Sequence, residues 1–282
     1  MGRATAYGKA ILAGEHFVVY GTAAVPLPVP SRGVTVTPER SPGSWSVPSE
    51  VDAHLRRCLE RLGEAPPELT ISVESTLPIG SGLGGSAAFA VALVRALADH
   101  GIEDREVRRR AHELERLAHG SPSGIDDAVA TFGCPVFLTP LRSVEPLQLS
   151  EMPRIWIALS DQRSSTLEAV EQVRTLKERD EANFARLRAR AAQVVARAHA
   201  ALIGSDWEAL GLAMRENQQL LVEVGVSTPA LDRLVSAAEA GGALGAKLTG
   251  AGLGGAVVAL APEGVDLQDA LLSAGAQEVI AP

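Results

Sequence analysis

Aromatic side chains make up only 4% of the 282 residues, so the core must be built from Ala, Val, Leu and Ile, packed closely around many glycines. Only two cysteines are present, Cys58 and Cys134, and neither belongs to a CxxC or His-spaced pattern. That argues against a disulfide framework and a structural zinc site, and suits two structural thiols in a reducing cytosol. No basic block exists and the net charge is −8, so the counterion-release term that drives nucleic-acid binding has no footprint. Long hydrophobic runs are missing too. The uncharged apolar stretch at residues 17–30 is too short to span a bilayer and contains Pro26, Pro28 and Pro30. Arg3, Lys9 and Glu15 interrupt the apolar character of the first residues, unlike a signal peptide. The expectation is a cytoplasmic protein with neither nucleic acid nor membrane as a partner.

What remains is ordinary globular composition, 46% hydrophobic and 21% charged, with length enough for two domains. Residues 33–38 and 69–75 alternate apolar and polar, the period of half-buried strands. Val91, Leu93, Val94 and Leu97 carry helical spacing through 86–100, and a more polar helix is predicted over 104–118. A short strand is predicted at 135–139. The stretch 140–153 reads as a loop or linker, which puts a domain boundary at 148/149: an N-terminal domain over 1–148 and a C-terminal one over 149–282. A strand at 155–159 then precedes helices over 167–178, 181–203 and 206–224, and Thr228-Pro229 offers an N-cap with proline at the first helical position. That last helix ends near Gly241-Gly242, and strands return at 256–260 and 277–280. Strands and helices mixed without a βαβ rhythm favour an α+β fold.

The residue types that carry chemistry are concentrated in glycine-rich turns. Gly80-Ser81-Gly82-Leu83-Gly84-Gly85-Ser86 lies between a predicted strand and a predicted helix, where backbone N–H groups and a helix N-terminus form an anion cradle. Glycine is needed there because side chains would hold the backbone away from phosphate oxygens. Gly80, Gly82 and Gly85 also satisfy GxGxxG, but Thr76 to Ile79 separate the first glycine from its strand and no βαβ unit surrounds it. Gly250, Gly252 and Gly255 match the same pattern with a strand following instead of a helix. The nearest approach to a Walker A loop, Gly245-Ala246-Lys247-Leu248, lacks both the Gly-Lys adjacency and the hydroxyl. Dinucleotide and P-loop folds are therefore disfavoured, while a tight turn without a ligand stays open for any single loop.

Four segments read together resemble the signature set of the mevalonate kinases, within the GHMP kinase superfamily. They are Gly8-Lys9-Ala10-Ile11-Leu12-Ala13-Gly14-Glu15-His16, the Gly80 to Ala87 loop, His119-Gly120-Ser121-Pro122-Ser123-Gly124-Ile125-Asp126, and Lys247-Leu248-Thr249-Gly250-Ala251-Gly252-Leu253-Gly254-Gly255. Their order and spacing agree from residue 8 to 255, and residues 217–234 resemble the helix and Gly-Val-Ser turn before the last motif. The chain departs from the pattern at Tyr7, where proline is usual, at Gly85 and Leu253, and through 22–29. The resemblance implies a two-domain fold with its active site in the cleft between the domains. It also implies ATP as phosphoryl donor, Mg²⁺, and a small hydroxy-acid substrate. A homodimer is compatible with that reading and not required by it.

Phosphoryl transfer needs positioning and charge stabilisation more than covalent chemistry. By resemblance, Asp126 accepts or orients the acceptor hydroxyl's proton and Lys9 is the cation beside it. Ser86 and Glu115 are implied as the Mg²⁺ ligands; Glu15, His16 and Thr249 are implied to meet the substrate. Each residue has a plainer reading. Asp126 could cap a helix, Lys9 could be an exposed strand lysine, and Glu115 could belong to a solvated helix face. His16 could be a packed, hydrogen-bonded histidine and Thr249 ordinary strand packing. Another GHMP kinase, acting on phosphomevalonate, homoserine or a sugar, and a non-catalytic binding protein on the same scaffold are the rival functions.

Overall fold

A computed structural model describes residues 1–39, 49–63, 70–98, 101–120, 122–141 and 143–282. The chain divides into two compact units whose segments interleave. One holds Met1–Lys9, Pro28–Pro78 and Gly84–Cys134; the other holds Ala10–Leu27, Ile79–Leu83 and Pro135–Pro282. This division differs from a single boundary at 148/149, because residues 10–27 and 79–83 pack with the C-terminal half of the chain. Strands β1 (Ala4–Ala13) and β2 (Val25–Glu39) each run from one unit into the other.

In the first unit β1, β2 and β3 (Thr70–Ser75) form a three-stranded sheet in that order, with β2 and β3 antiparallel and Val36 opposite Val73. The strand predicted at 33–38 is the second half of β2, and the prolines at 26, 28 and 30 lie within its first half. Helices α1 (Ser49–Leu62), α2 (Gly85–Leu97), α3 (Asp104–His119) and α4 (Ile125–Phe132) complete the unit. Helix α2 is apolar all round and buried along nearly its whole length, which is what a central helix requires. It packs on both α3 and α4. The predicted helix over 86–100 matches α2 up to Leu97; residues 99 and 100 lie outside the described ones, as does residue 69 of the predicted strand.

The second unit is built on a four-stranded antiparallel sheet in the order β7-β8-β6-β9, from β6 (Ile155–Leu159), β7 (Gly245–Thr249), β8 (Ala256–Leu260) and β9 (Glu278–Ile280). Its three longest strands are buried at every position; β6 and β8 read as continuous apolar runs without alternation, while β7 buries Lys247 and Thr249 among its apolar residues. Helices α5 (Thr166–Arg179), α6 (Glu181–Ile203), α7 (Trp207–Glu223) and α8 (Pro229–Ala240) follow β6, with the short α9 (Gln268–Ser273) between β8 and β9. The start of α8 is capped as the sequence predicts: Thr228 Oγ1 accepts from the Leu231 N–H, and Pro229 occupies the first turn. Asp180 and Asp206 cap α6 and α7 in the same way. The stretch 140–153 is not loop throughout. Val144–Pro146 forms β5, antiparallel to β4 (Val136–Leu138), a pairing too short for periodicity to register.

Candidate active site

Unit one gathers Lys9, Gly84, Gly85, Ser86, Glu115 and Asp126; unit two gathers Glu15, His16, Gly80, Ser81, Gly82, Leu83 and Thr249.

In the first unit Lys9, 3% exposed on β1, faces Asp126 with Nζ 3.4 Å from Oδ1. A buried lysine held against a carboxylate is not the exposed strand residue of the plainer reading. Asp126 does not cap α4. The N-cap is Gly124 in the left-handed region (φ 84°), and no side chain closes that helix end. The Asp126 carboxylate sits one residue inside the first turn, where the helix dipole favours its charge, and remains about one-third exposed. Gly84 explains the glycine at its position: φ is +77°, and a Cβ there would lie 3.0 Å from Lys9 Cγ and 3.5 Å from Asp126 Oδ2. Gly84 is also the N-cap of α2, again with no side-chain cap, so first-turn N–H groups are left for an anion.

Ser86, in the first turn of α2, donates to Glu115 Oε1 at 2.5 Å. Glu115 is 5% exposed, not part of a solvated face. Burial pushes its carboxyl up to about 7 despite the Ser86 hydrogen bond, and the nearby charges of Asp126 and Asp127 add to the rise. A buried carboxylate and a hydroxyl, both hard oxygen donors beside a helix N-terminus, suit a small divalent cation that keeps most of its own water.

In the second unit, the turn after β1 is tied to β7 and the turn that follows it. Ile11 N–H donates to Thr249 Oγ1 at 2.8 Å, and His16 Nε2 donates to the Ala251 carbonyl at 2.8 Å. His16 is held at φ 58°, an unusual backbone for a residue with a Cβ. Burial lowers its imidazole to about 4, with the Lys247 charge contributing in the same direction, so the ring is neutral near pH 7. With Nε2–H donated, Nδ1 is left as an acceptor. Glu15 and Lys247 form a fully buried ion pair; Asn217 Nδ2 donates to Glu15 Oε2 at 3.0 Å and Lys247 Nζ donates to Ile11 O at 3.0 Å. Both carboxylate oxygens of Glu15 are thus engaged within the protein. The glycine loop approaches the same turn: a Cβ on Gly250 would lie 2.9 Å from Gly82 O, and one on Gly255 3.0 Å from Ser81 O.

Sequence reasoning passed over Asn217 and Lys247 as partners of Glu15, and over Asp127, His112 and Arg108 behind Asp126. For Lys247 and Asp127 the available signal was a charged residue among apolar neighbours, whereas His112 and Arg108 lie on a helix too polar for either to stand out.

Two family models match the chain: GHMP kinases N terminal domain over residues 51–134 and GHMP kinases C terminal over 198–277. The mevalonate kinase of Methanothermobacter thermautotrophicus is 36% identical, with 93% of this chain and 91% of that protein covered. The mevalonate kinase of Thermococcus gammatolerans is 33% identical, covering 92% and 89% respectively. Among solved structures, the L. major mevalonate kinase in complex with R-mevalonate superposes with a TM-score of 0.87 at 29% identity, covering 100% of this chain and 95% of that one. Motifs, fold and relatives agree, and the chain belongs to the mevalonate kinase family of the GHMP kinases.

Proposed function

We propose that the protein transfers the γ-phosphoryl group of ATP to the 5-hydroxyl of mevalonate, with Asp126 and Lys9 at the reacting groups. The observation that carries this reading is the buried Lys9 ammonium 3.4 Å from the Asp126 carboxylate, packed against Gly84 at the uncapped start of α2. Asp126 orients the acceptor hydroxyl and takes its proton as the bond to phosphorus forms. Lys9 holds the Asp126 carboxylate in place, and its charge stabilises the alkoxide character and phosphoryl charge that develop in the transition state. The glycine run Gly80 to Gly85 and the Ser86 backbone offer N–H groups to the nucleotide phosphates, with no side chain to block their approach.

Mg²⁺ would be held by Ser86 Oγ and Glu115, and when bound it neutralises phosphate charge on the nucleotide. Ionised Glu115 is the form that ligates, so its raised pKa makes cation affinity depend on pH. His16, neutral with Nδ1 as acceptor, and Thr249 offer hydrogen bonds to the acid substrate. Glu15 serves the same turn from behind, as the counter-ion that shapes it. A cytoplasmic setting suits two cysteines that form no disulfide, of which Cys58 is buried with its thiol pushed up to about 12 and is therefore inert. No described helix is long and apolar enough to cross a membrane.

The test is a panel of acceptors offered with ATP and Mg²⁺: mevalonate, phosphomevalonate, homoserine and galactose. Mevalonate is expected to give the highest kcat/KM. Preferential turnover of any other acceptor overturns the substrate assignment.

A further inference from the structure

Asp127, next to the proposed catalytic carboxylate, is 2% exposed and takes no part in the mechanism above. Its Oδ2 accepts a hydrogen bond from His112 Nδ1 at 2.8 Å; an ionised carboxylate has only acceptors, so the histidine donates. Arg108, one helical turn before His112 on α3, brings Nε to 4.0 Å from Asp127 Oδ1 and donates from Nη2 to the Gly124 carbonyl at 3.3 Å. Glycine is required at 124: φ is +84°, and a Cβ would stand 3.3 Å from Arg108 Nη2 and 3.7 Å from Asp127 Oδ1. Two residues of α3 therefore grip the Gly124–Asp127 turn at both ends, and Asp126 lies between those ends. Glu115 lies one turn further along the same helix, bonded to Ser86. Helix α3 thus carries, on successive turns, the groups that fix the acceptor-side carboxylate and the group assigned to the cation.

We propose that His112 and Asp127, supported by Arg108, are a positioning pair that fixes the Asp126 carboxylate in register with the Glu115 and Ser86 oxygens. The inference rests on the reading of Asp126 as the carboxylate beside the acceptor hydroxyl. The pair touches no reacting atom; it acts through the backbone turn. Removing it lets the turn shift while leaving the phosphate-facing start of α2 intact. Because a misplacement of about 1 Å at a reacting group can cost on the order of 100-fold in rate, the effect belongs in kcat.

The experiment compares His112→Ala, His112→Asn, Asp127→Ala, the double His112→Ala/Asp127→Ala, and Asp126→Asn in the full chain. It measures kcat, KM for both substrates, ATP binding and Tm. His112→Ala is expected to lower kcat by about 100-fold with the nucleotide KM and binding stoichiometry unchanged, in protein still folded at the assay temperature. His112→Asn, whose side-chain amide places a donor near the Nδ1 position, should recover most of that loss. The double variant should be no slower than the worse single one, since the two groups act as a unit. Full kcat in His112→Ala with only a lower Tm overturns the positioning role and leaves a structural one. Should Asp127→Ala fail to fold, the two His112 variants decide the matter alone. Asp126→Asn separates the two claims. Full turnover there overturns the reading of Asp126 itself, whereas lost turnover there beside an unaffected His112→Ala overturns only the positioning pair.

Discussion

Replacing Lys247 by methionine removes one half of an ion pair that has no access to solvent. Lys247 is 0% exposed and Glu15 2%, so Glu15 would be left as a buried carboxylate with Asn217 as its remaining donor. Breaking such a pair from one side costs about 3–5 kcal/mol, because the surviving charge has been taken out of water without compensation. The ammonium's hydrogen bonds to Ile11 O and Leu248 O are lost with it. At about 2–4 °C per kcal/mol for a chain of this size class, Lys247→Met should lower Tm by roughly 10 °C. Removing both charges, in Glu15→Gln/Lys247→Met, leaves no buried ion and should be milder than the sum of the single changes by at least about 2 kcal/mol. Thermal melts of the four proteins, wild type, two singles and the double, read this coupling directly. Additive losses would refute it, since additivity means that neither charge is sensed by the other.

Asp126→Asn and Lys9→Met should each lower kcat by about 1,000-fold or more while ATP still binds, as isothermal titration with ATP can show; near-full turnover in either refutes the assigned roles. Cation affinity should strengthen as pH rises from 6 to 8, because Glu115 loses its proton near 7, and Glu115→Gln should weaken affinity and flatten that dependence; Mg²⁺ titration of the nucleotide complex checks both. His16 adds a pH dependence of stability. Its pKa is lowered from 6.5 to about 4, so its contribution is fully present above pH 6.5 and is lost as pH falls from there toward 4, by up to about 3 kcal/mol, measurable as the shift in urea midpoint. Gly84→Ala forces a Cβ toward Lys9 at a left-handed backbone position, and should lower both Tm and kcat.

Much of the architecture was readable because its elements announce themselves locally. Helices α5 to α8 have caps, breakers and 3.6-residue periodicity in the sequence, and they begin and end within a few residues of where those signals place them. β7 buries a lysine and a threonine where a strand core is ordinarily apolar, and β5 is three residues long, so hydrophobic pattern alone marks neither. Helix α1 was missed for a different reason: the prediction drew nothing from residues 49–62, although the amphipathic pattern is present there.

By itself, the sequence determined the family, since four motifs in fixed order are a property of the chain alone. It also placed glycine at most of the positions where the backbone turns left-handed, Gly82, Gly84 and Gly124 among them. Only the tertiary structure decided what each charged residue does. Lys9 and Asp126 stand 117 positions apart, and their 3.4 Å approach follows from how β1, α2 and α4 pack. Glu15 turned out to have a buried lysine for a partner, and Asp127 a histidine. Ion pairing and desolvation depend on distance and burial, and neither quantity exists until the chain has folded.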